Sequence, residues 1–351
     1  MSEAFDRIGC RTLVGLLILT ALAVRTGATE EAADKGLSKE ISRVQGEAVR
    51  VLPEDRRSAV VTRLERAAAA VDARRLYLAL YELESAFEVT HAQAFAKKSA
   101  TVKTPADCPV LWRSAGEPRI RGGAANRMIV RALASSAESR AGPTYRASLP
   151  YAQDAGVAAG LYYLGESQAF VAFADFARSL AWPPAGQAPP LRSLAPELEA
   201  LDAEVTRAYE QMTEEEHPTY VVTSVTLKRA RTLNDSGKHA GALLEYLLAR
   251  YRFAMLRPDA VAEAPRPQRL DVERARLDDG IDHSIARMFV EMAEAALASD
   301  DARTRRSATA IVEDVLPAYH AALREVRPQA SVGDANAPRV VTVTLVRWPF
   351  T

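Results

Sequence analysis

The sequence predicts an all-α protein: stacked antiparallel helical hairpins in two duplicated units, followed by one short C-terminal β-strand. Three observations carry this. From Leu37 to Arg327 the apolar residues recur at helical spacing, with no alternating strand pattern among them. Two stretches of the chain align with one another, without a gap, at the constant offset that carries Leu64 onto Leu227. Beyond Arg327 the pattern changes once, into a run rich in β-branched residues.

The N-terminus comes first. Thr12 to Val24 is an uncharged apolar run between Arg7 and Arg11 on one side and Arg25 on the other. A membrane-spanning helix needs roughly 20 such residues, so this run has the length of a signal-peptide core. Residues 1–28 are expected to form a signal peptide cut after Ala28, where Thr26-Gly27-Ala28 is small and Glu30-Glu31 begins a polar stretch. The other reading of the run is a retained anchor, which would be the chain's one membrane attachment. Either way the protein is expected to be exported, to a periplasmic or extracellular place. Cleavage removes Cys10 and leaves Cys108, and one cysteine makes no internal disulfide.

Residues 29–182 make the first helical unit. Leu37, Ile41, Val44, Ala48 and Val51 line one helix face until Pro53. Helices follow over 58–71 and 74–98, the latter with Leu76, Leu80, Leu83 and Phe87. After a loop with Pro105, Pro109 and Pro118, three more are predicted over 123–140, 147–164 and 166–180. Five prolines crowd into 183–196, the composition of a semi-stiff linker. The second unit, 197–327, holds helices near 196–213, 219–233, 238–256, 272–297 and 302–327. The tail, 328–351, begins polar and ends in a predicted strand over 339–348, which includes Trp348. Such a strand needs an edge to pair with.

Two pairs of segments carry the repetition. Leu64-Glu65-Arg66-Ala67 meets Leu227-Lys228-Arg229-Ala230; at the same offset Asp72 meets Asp235, Leu80 meets Leu243 and Glu82 meets Glu245. A second pair aligns at a shorter offset, where Asp154 meets Asp282 and Leu164-Gly165-Glu166 meets Met292-Ala293-Glu294. In the second hairpin Ala230, Leu233, Gly237, Ala242, Tyr246 and Ala249 fall at spacings that resemble the tetratricopeptide repeat. The first copy departs from that pattern, with Arg74 where the turn glycine would stand. The resemblance implies a concave surface that binds peptides or proteins.

Lys plus Arg equals Asp plus Glu at 45 each, which disfavours a nucleic-acid partner. No metalloprotease, hydrolase, phosphate-loop or paired-cysteine motif occurs, so no catalytic residue and no cofactor is expected. Glu84, Glu88 and His91 lie on one helix face and are the best metal candidates, but the second Glu-x-x-His step of a di-iron bundle is missing. Asp278, Asp279, Asp282 and His283 form an acidic cluster for which a helix-start or polar-face role is expected. Tyr162, Tyr163, Phe170, Phe173 and Phe176 make an aromatic stretch whose stripe at 170, 173 and 176 is expected to be core; if partly open, the stretch offers, with Trp348, contacts for a ligand or partner. The expected function is a non-catalytic helical-repeat scaffold binding a protein or peptide. The alternatives are a small-molecule or lipid-binding bundle and an enzyme of unrecognised type.

Overall fold

A computed structural model describes residues 31–121, 127–184, 186–210, 212–256 and 267–324. The signal segment and the tail, with its predicted strand and Trp348, lie outside the described residues. Within them the chain is all-α: helices joined by turns and loops, and a single isolated bridge as the one strand-like pairing.

Residues 31–51 form α1, which buries Leu37, Ile41, Val44 and Ala48, the face read from the sequence. Pro53 then caps α2 (Glu54–Asp72), which turns back into α3 (Leu76–Lys98). In the second half α7 (Ala195–Tyr209) leads to the pair α8 (His217–Asp235) and α9 (His239–Leu256). The corners of the two hairpins are bonded alike. The amide of Arg75 donates to Ala70 at 2.7 Å and that of Lys238 to Leu233 at 2.9 Å; Ala73 donates to Ala69 and Ser236 to Thr232. Both pairs of bonds are related by the offset that carries Leu64 onto Leu227, and each closes a helix end by the same device. It needs a left-handed residue, supplied by Gly237 at φ 73° and, at real steric cost, by Arg74 at φ 57°. Leu64 and Leu227, Ala67 and Ala230, and Leu80 and Leu243 are buried in matching places.

Elsewhere the elements differ from the sequence expectation. The Pro-rich loop contains a short helix, α4 (Cys108–Ala115), with Pro109 in its first turn, where the missing amide costs nothing. The three helices expected over 123–180 are two, α5 (Met128–Asp154) and α6 (Val157–Ser179). Pro143 and Pro150 stand inside α5, where proline ordinarily ends a helix. Packing overrides that: α6 lies along α5, and Trp112 of α4 donates to Ser148 at 2.6 Å. Glycines set the approach of these helices. A Cβ on Gly160 would stand 2.3 Å from that of Ala152 and 2.8 Å from the Ala152 nitrogen; one on Gly165 would meet the Ala92 carbonyl at 2.8 Å. Gly160→Ala is therefore expected to force α5 and α6 apart and lower stability by about 1–3 kcal/mol, measured by urea denaturation. Gly156→Ala would be strained by its positive φ alone.

The helix expected over 272–297 is cut in two, α10 (Pro267–Arg276) and α11 (Ser284–Leu297), by Gly280 at φ 86°. The second sequence alignment therefore fails in space: Asp154 is exposed at the end of α5, whereas Asp282 is buried before α11. Asp282 accepts from the amides of Met128 at 2.5 Å and Ser284 at 3.0 Å, and Ser284 Oγ accepts from Ile129. Glu291 accepts from Leu78 at 2.8 Å. Residues at and just before α11 thus cap the starts of both α5 and α3, whose first amides have no partner within their own helices. The Pro-rich segment is pinned here too: Gln187 donates to Gly280 and accepts from Asp282, and Gly186 admits no side chain.

The described residues end with α12 (Ala302–Ala310), one π turn (Ile311–Val315) and α13 (Leu316–Leu323). The wider turn lies just before Pro317, which would otherwise crowd the carbonyl one α-turn back. One large apolar cluster draws residues from Ala33 to Ala322, so both halves share a core. No described helix is long and apolar enough to cross a membrane.

Candidate functional site

The metal candidates meet an arginine. Glu84 and Glu88 project from α3 toward Arg140 of α5, whose guanidinium lies 2.7 Å from Glu84 and 2.9 Å from Glu88. The Phe170 ring stands 4.2 Å from that guanidinium. All three charged side chains are less than a fifth exposed. Burial raises both carboxyls, and Glu88 is pushed up to about 8 although Arg140 pulls it down. One cation cannot neutralise two buried carboxylates, so a proton stays with the pair. Glu245 completes the cluster, bound to Ser136 at 2.5 Å and to Arg229 at 3.2 Å. His91 does not join it: it stacks on Phe87, and burial lowers its pKa. Among the described residues no three His, Cys, Asp or Glu side chains are placed to hold a metal.

The acidic cluster meets a tyrosine, and its Asp279 and His283 line a surface cavity. His283 Nδ1 lies 2.6 Å from the Tyr319 hydroxyl and Nε2 lies 2.9 Å from Asp279. Asp–His–Tyr contact of this kind can serve proton transfer only if a substrate reaches it. Tyr319 is wholly buried, and burial raises its hydroxyl well above the ordinary range. The chain of contacts instead ties α11 to α13. Cys108 is equally closed off, with its thiol raised by burial, so it is a poor nucleophile.

The aromatic stretch divides. Phe170 and Phe173 belong to the core, Phe170 beside Arg140 and Phe173 against Phe87 at 5.5 Å. The spacing of three that puts them on one face turns that face toward α3 and α5. They are not groove residues. Tyr162 and Tyr163, one to two turns into α6, are. They line a groove of about 670 Å³ with the end of α3 and the loop after it. Its apolar floor is Val102, Val157, Leu161 and Tyr162. Arg56 stands over the Tyr162 ring at 5.8 Å, and Tyr163 stacks on Tyr151 at 4.5 Å.

Arg56, Lys97 and Lys103 rim this groove, and among the described residues no carboxylate lines it. Sequence reasoning missed those three cations. The signal was there in Lys97-Lys98-Ser-Ala-Thr-Val-Lys103, a stretch without an acid, but it lies far from Tyr162 and Tyr163 along the chain, across α4 and the whole of α5. An apolar floor under a wholly cationic rim suits a ligand that is acidic at its edges and apolar between.

No protein-family model, no curated protein and no solved structure matches this chain.

Proposed function

We propose that this chain is an exported, non-catalytic helical-repeat protein that binds an acidic segment of a partner protein in the groove floored by Tyr162. The observation that carries the reading is the groove's lining: three cations and a half-buried aromatic pair, with no carboxylate among the described residues. Export rests on the apolar run Thr12–Val24 with the small residues up to Ala28. Glu84 and Glu88 are engaged by Arg140, the Tyr319 hydroxyl that meets His283 is wholly buried, and no catalytic motif occurs in the sequence, which together support a binding role over an enzyme. The rival reading, a bundle enclosing a lipid or other apolar small molecule, is less well supported, because charged side chains line each of the larger cavities.

The same reading takes the two hairpins as copies of one unit. Beyond the matching corners, Arg66 reaches Glu82 as Arg229 reaches Glu245, again at the offset that carries Leu64 onto Leu227. The tetratricopeptide-like spacing of the second hairpin fits peptide binding, and the 339–348 strand is proposed as a further pairing edge.

The test is a titration of the full chain with a labelled peptide in which glutamates alternate with leucine and phenylalanine. It should bind, and lose affinity with rising salt. Lys97→Glu with Lys103→Glu should weaken it by about tenfold or more, since two reversed surface charges are worth roughly 1–2 kcal/mol. Both side chains are exposed, so the melting temperature should not move. Equal binding of the lysine-for-glutamate peptide would contradict the proposal.

A further inference from the structure

A second cavity, of about 610 Å³, opens at the other end of α3, where α3, α5 and α11 begin. Arg74, Arg75, Arg127, Arg274 and Arg287 line it, against three carboxyls, Asp278, Glu291 and Glu294. Those carboxyls are largely spoken for. Glu294 is shared by Arg75 and Arg274, and Asp278 is held by Arg287. Glu291 caps α3, and burial keeps its carboxyl protonated up to about pH 8. The cavity therefore carries an excess of positive charge.

Arg127 is the most telling of the five. Its side chain is 12% exposed, its nearest carboxylate oxygen is Asp282 Oδ1 at 3.9 Å, and its buried Nε has no hydrogen-bond partner among the described residues. Asp282 is already occupied by the amides of Met128 and Ser284. The Arg127 guanidinium thus has its nearest carboxylate beyond hydrogen-bond distance while part of its side chain still faces the cavity, and an oxyanion there would add the charge-assisted contact it lacks. The helix ends do not account for such a site, because Asp282 and Glu291 already satisfy their amides. The guanidinium groups do, since their planar forks fit carboxylate and phosphate oxygens.

We infer that this cleft binds a small molecule carrying two or more anionic oxygen groups, carboxylate or phosphate, independently of the groove at Tyr162. Trp182 lies in the lining, stacked on Tyr77 at 5.4 Å, and reports on occupancy.

The experiment titrates the full-length protein at pH 7 with citrate, pyrophosphate and acetate, read by calorimetry and tryptophan fluorescence. Citrate or pyrophosphate should bind at least about tenfold more tightly than acetate, and the better of the two names the oxygen chemistry. Arg127→Met should abolish binding. Because Arg127 sits beside buried Asp282, that variant can fail to fold, so Arg74→Met, at an exposed corner, is the deciding one. It should keep its melting temperature and lose affinity by about 1.4- to fivefold, an exposed guanidinium–anion contact being worth roughly 0.2–1 kcal/mol. Arg56→Met, in the groove, should bind as wild type. Acetate binding as well as the others, unchanged affinity in Arg74→Met, or no heat and no fluorescence change would overturn the inference.

Discussion

Arg140→Met should destabilise the protein by about 3–5 kcal/mol, the usual cost of removing one partner from a buried charge cluster. Methionine fills similar volume beside Phe170, so the loss isolates the charge rather than a cavity. Without the guanidinium, the charge that the Glu84–Glu88 pair carries is buried with no cation beside it, and Glu245 adds repulsion at Glu84. Among the described residues neither carboxylate has another cation bound directly to it. Adding Glu84→Gln and Glu88→Gln to the Arg140 variant should recover much of the loss, because the uncompensated charge is then gone. Urea denaturation with an unchanged slope would measure both effects. A loss under about 1 kcal/mol for Arg140→Met would mean that water reaches all three groups.

Stability should fall as pH rises from about 5 to above 8. Glu88 and Glu291 hold their protons up to about 8 in the folded protein, burial being the largest cause for each, against an ordinary value of 4.5. Between those values the native state binds more protons than the unfolded chain, so raising the pH favours unfolding. Their full contribution is present below about pH 4.5 and is lost as the pH passes 8. Two shifts of this size together are worth on the order of several kcal/mol. His91 acts the other way: burial lowers it below 6.5, so it favours the folded state as pH rises toward that value. The decline should therefore be steepest between about 6.5 and 8. Asp279 and Asp301 are lowered from 3.8, so their effect lies below the window. Melting temperatures across pH 5–9 check this, and Glu88→Gln and Glu291→Gln should each flatten the curve. A profile that rises from pH 6.5 to 8 would contradict it.

The periodic parts of the fold were legible in the sequence. The α1 stripe is buried as read, and both hairpins fall where the offset between Leu64 and Leu227 puts them. What misled were residues whose local meaning depends on a distant neighbour. Arg74 reads as a mismatch to Gly237, yet it takes the same left-handed turn with the same bonds. Pro143 falls in the gap predicted between 140 and 147, yet packing against α6 carries one helix through it and through Pro150. Gly165 reads as a break and is a point of contact between helices instead. Gly280 lay unnoticed inside a predicted helix and divides it. The candidate site was half legible. Tyr162 and Tyr163 could be named because an aromatic run stands out, but the cations around them come from α2, α3 and the loop beyond. Glu84 and Glu88 were seen as a pair, while Arg140, which determines their state, stands on a different helix beyond the Pro-rich loop.

Hydrogen exchange of the full chain, with and without the glutamate-rich peptide, tests the binding claim most directly. Peptide at saturation should slow exchange over residues 93–103 and 157–163 and leave the segment at 280–291, beside the arginine-lined cavity, unchanged. Protection confined to that cavity, or none anywhere, would contradict the assignment of the groove as the partner site.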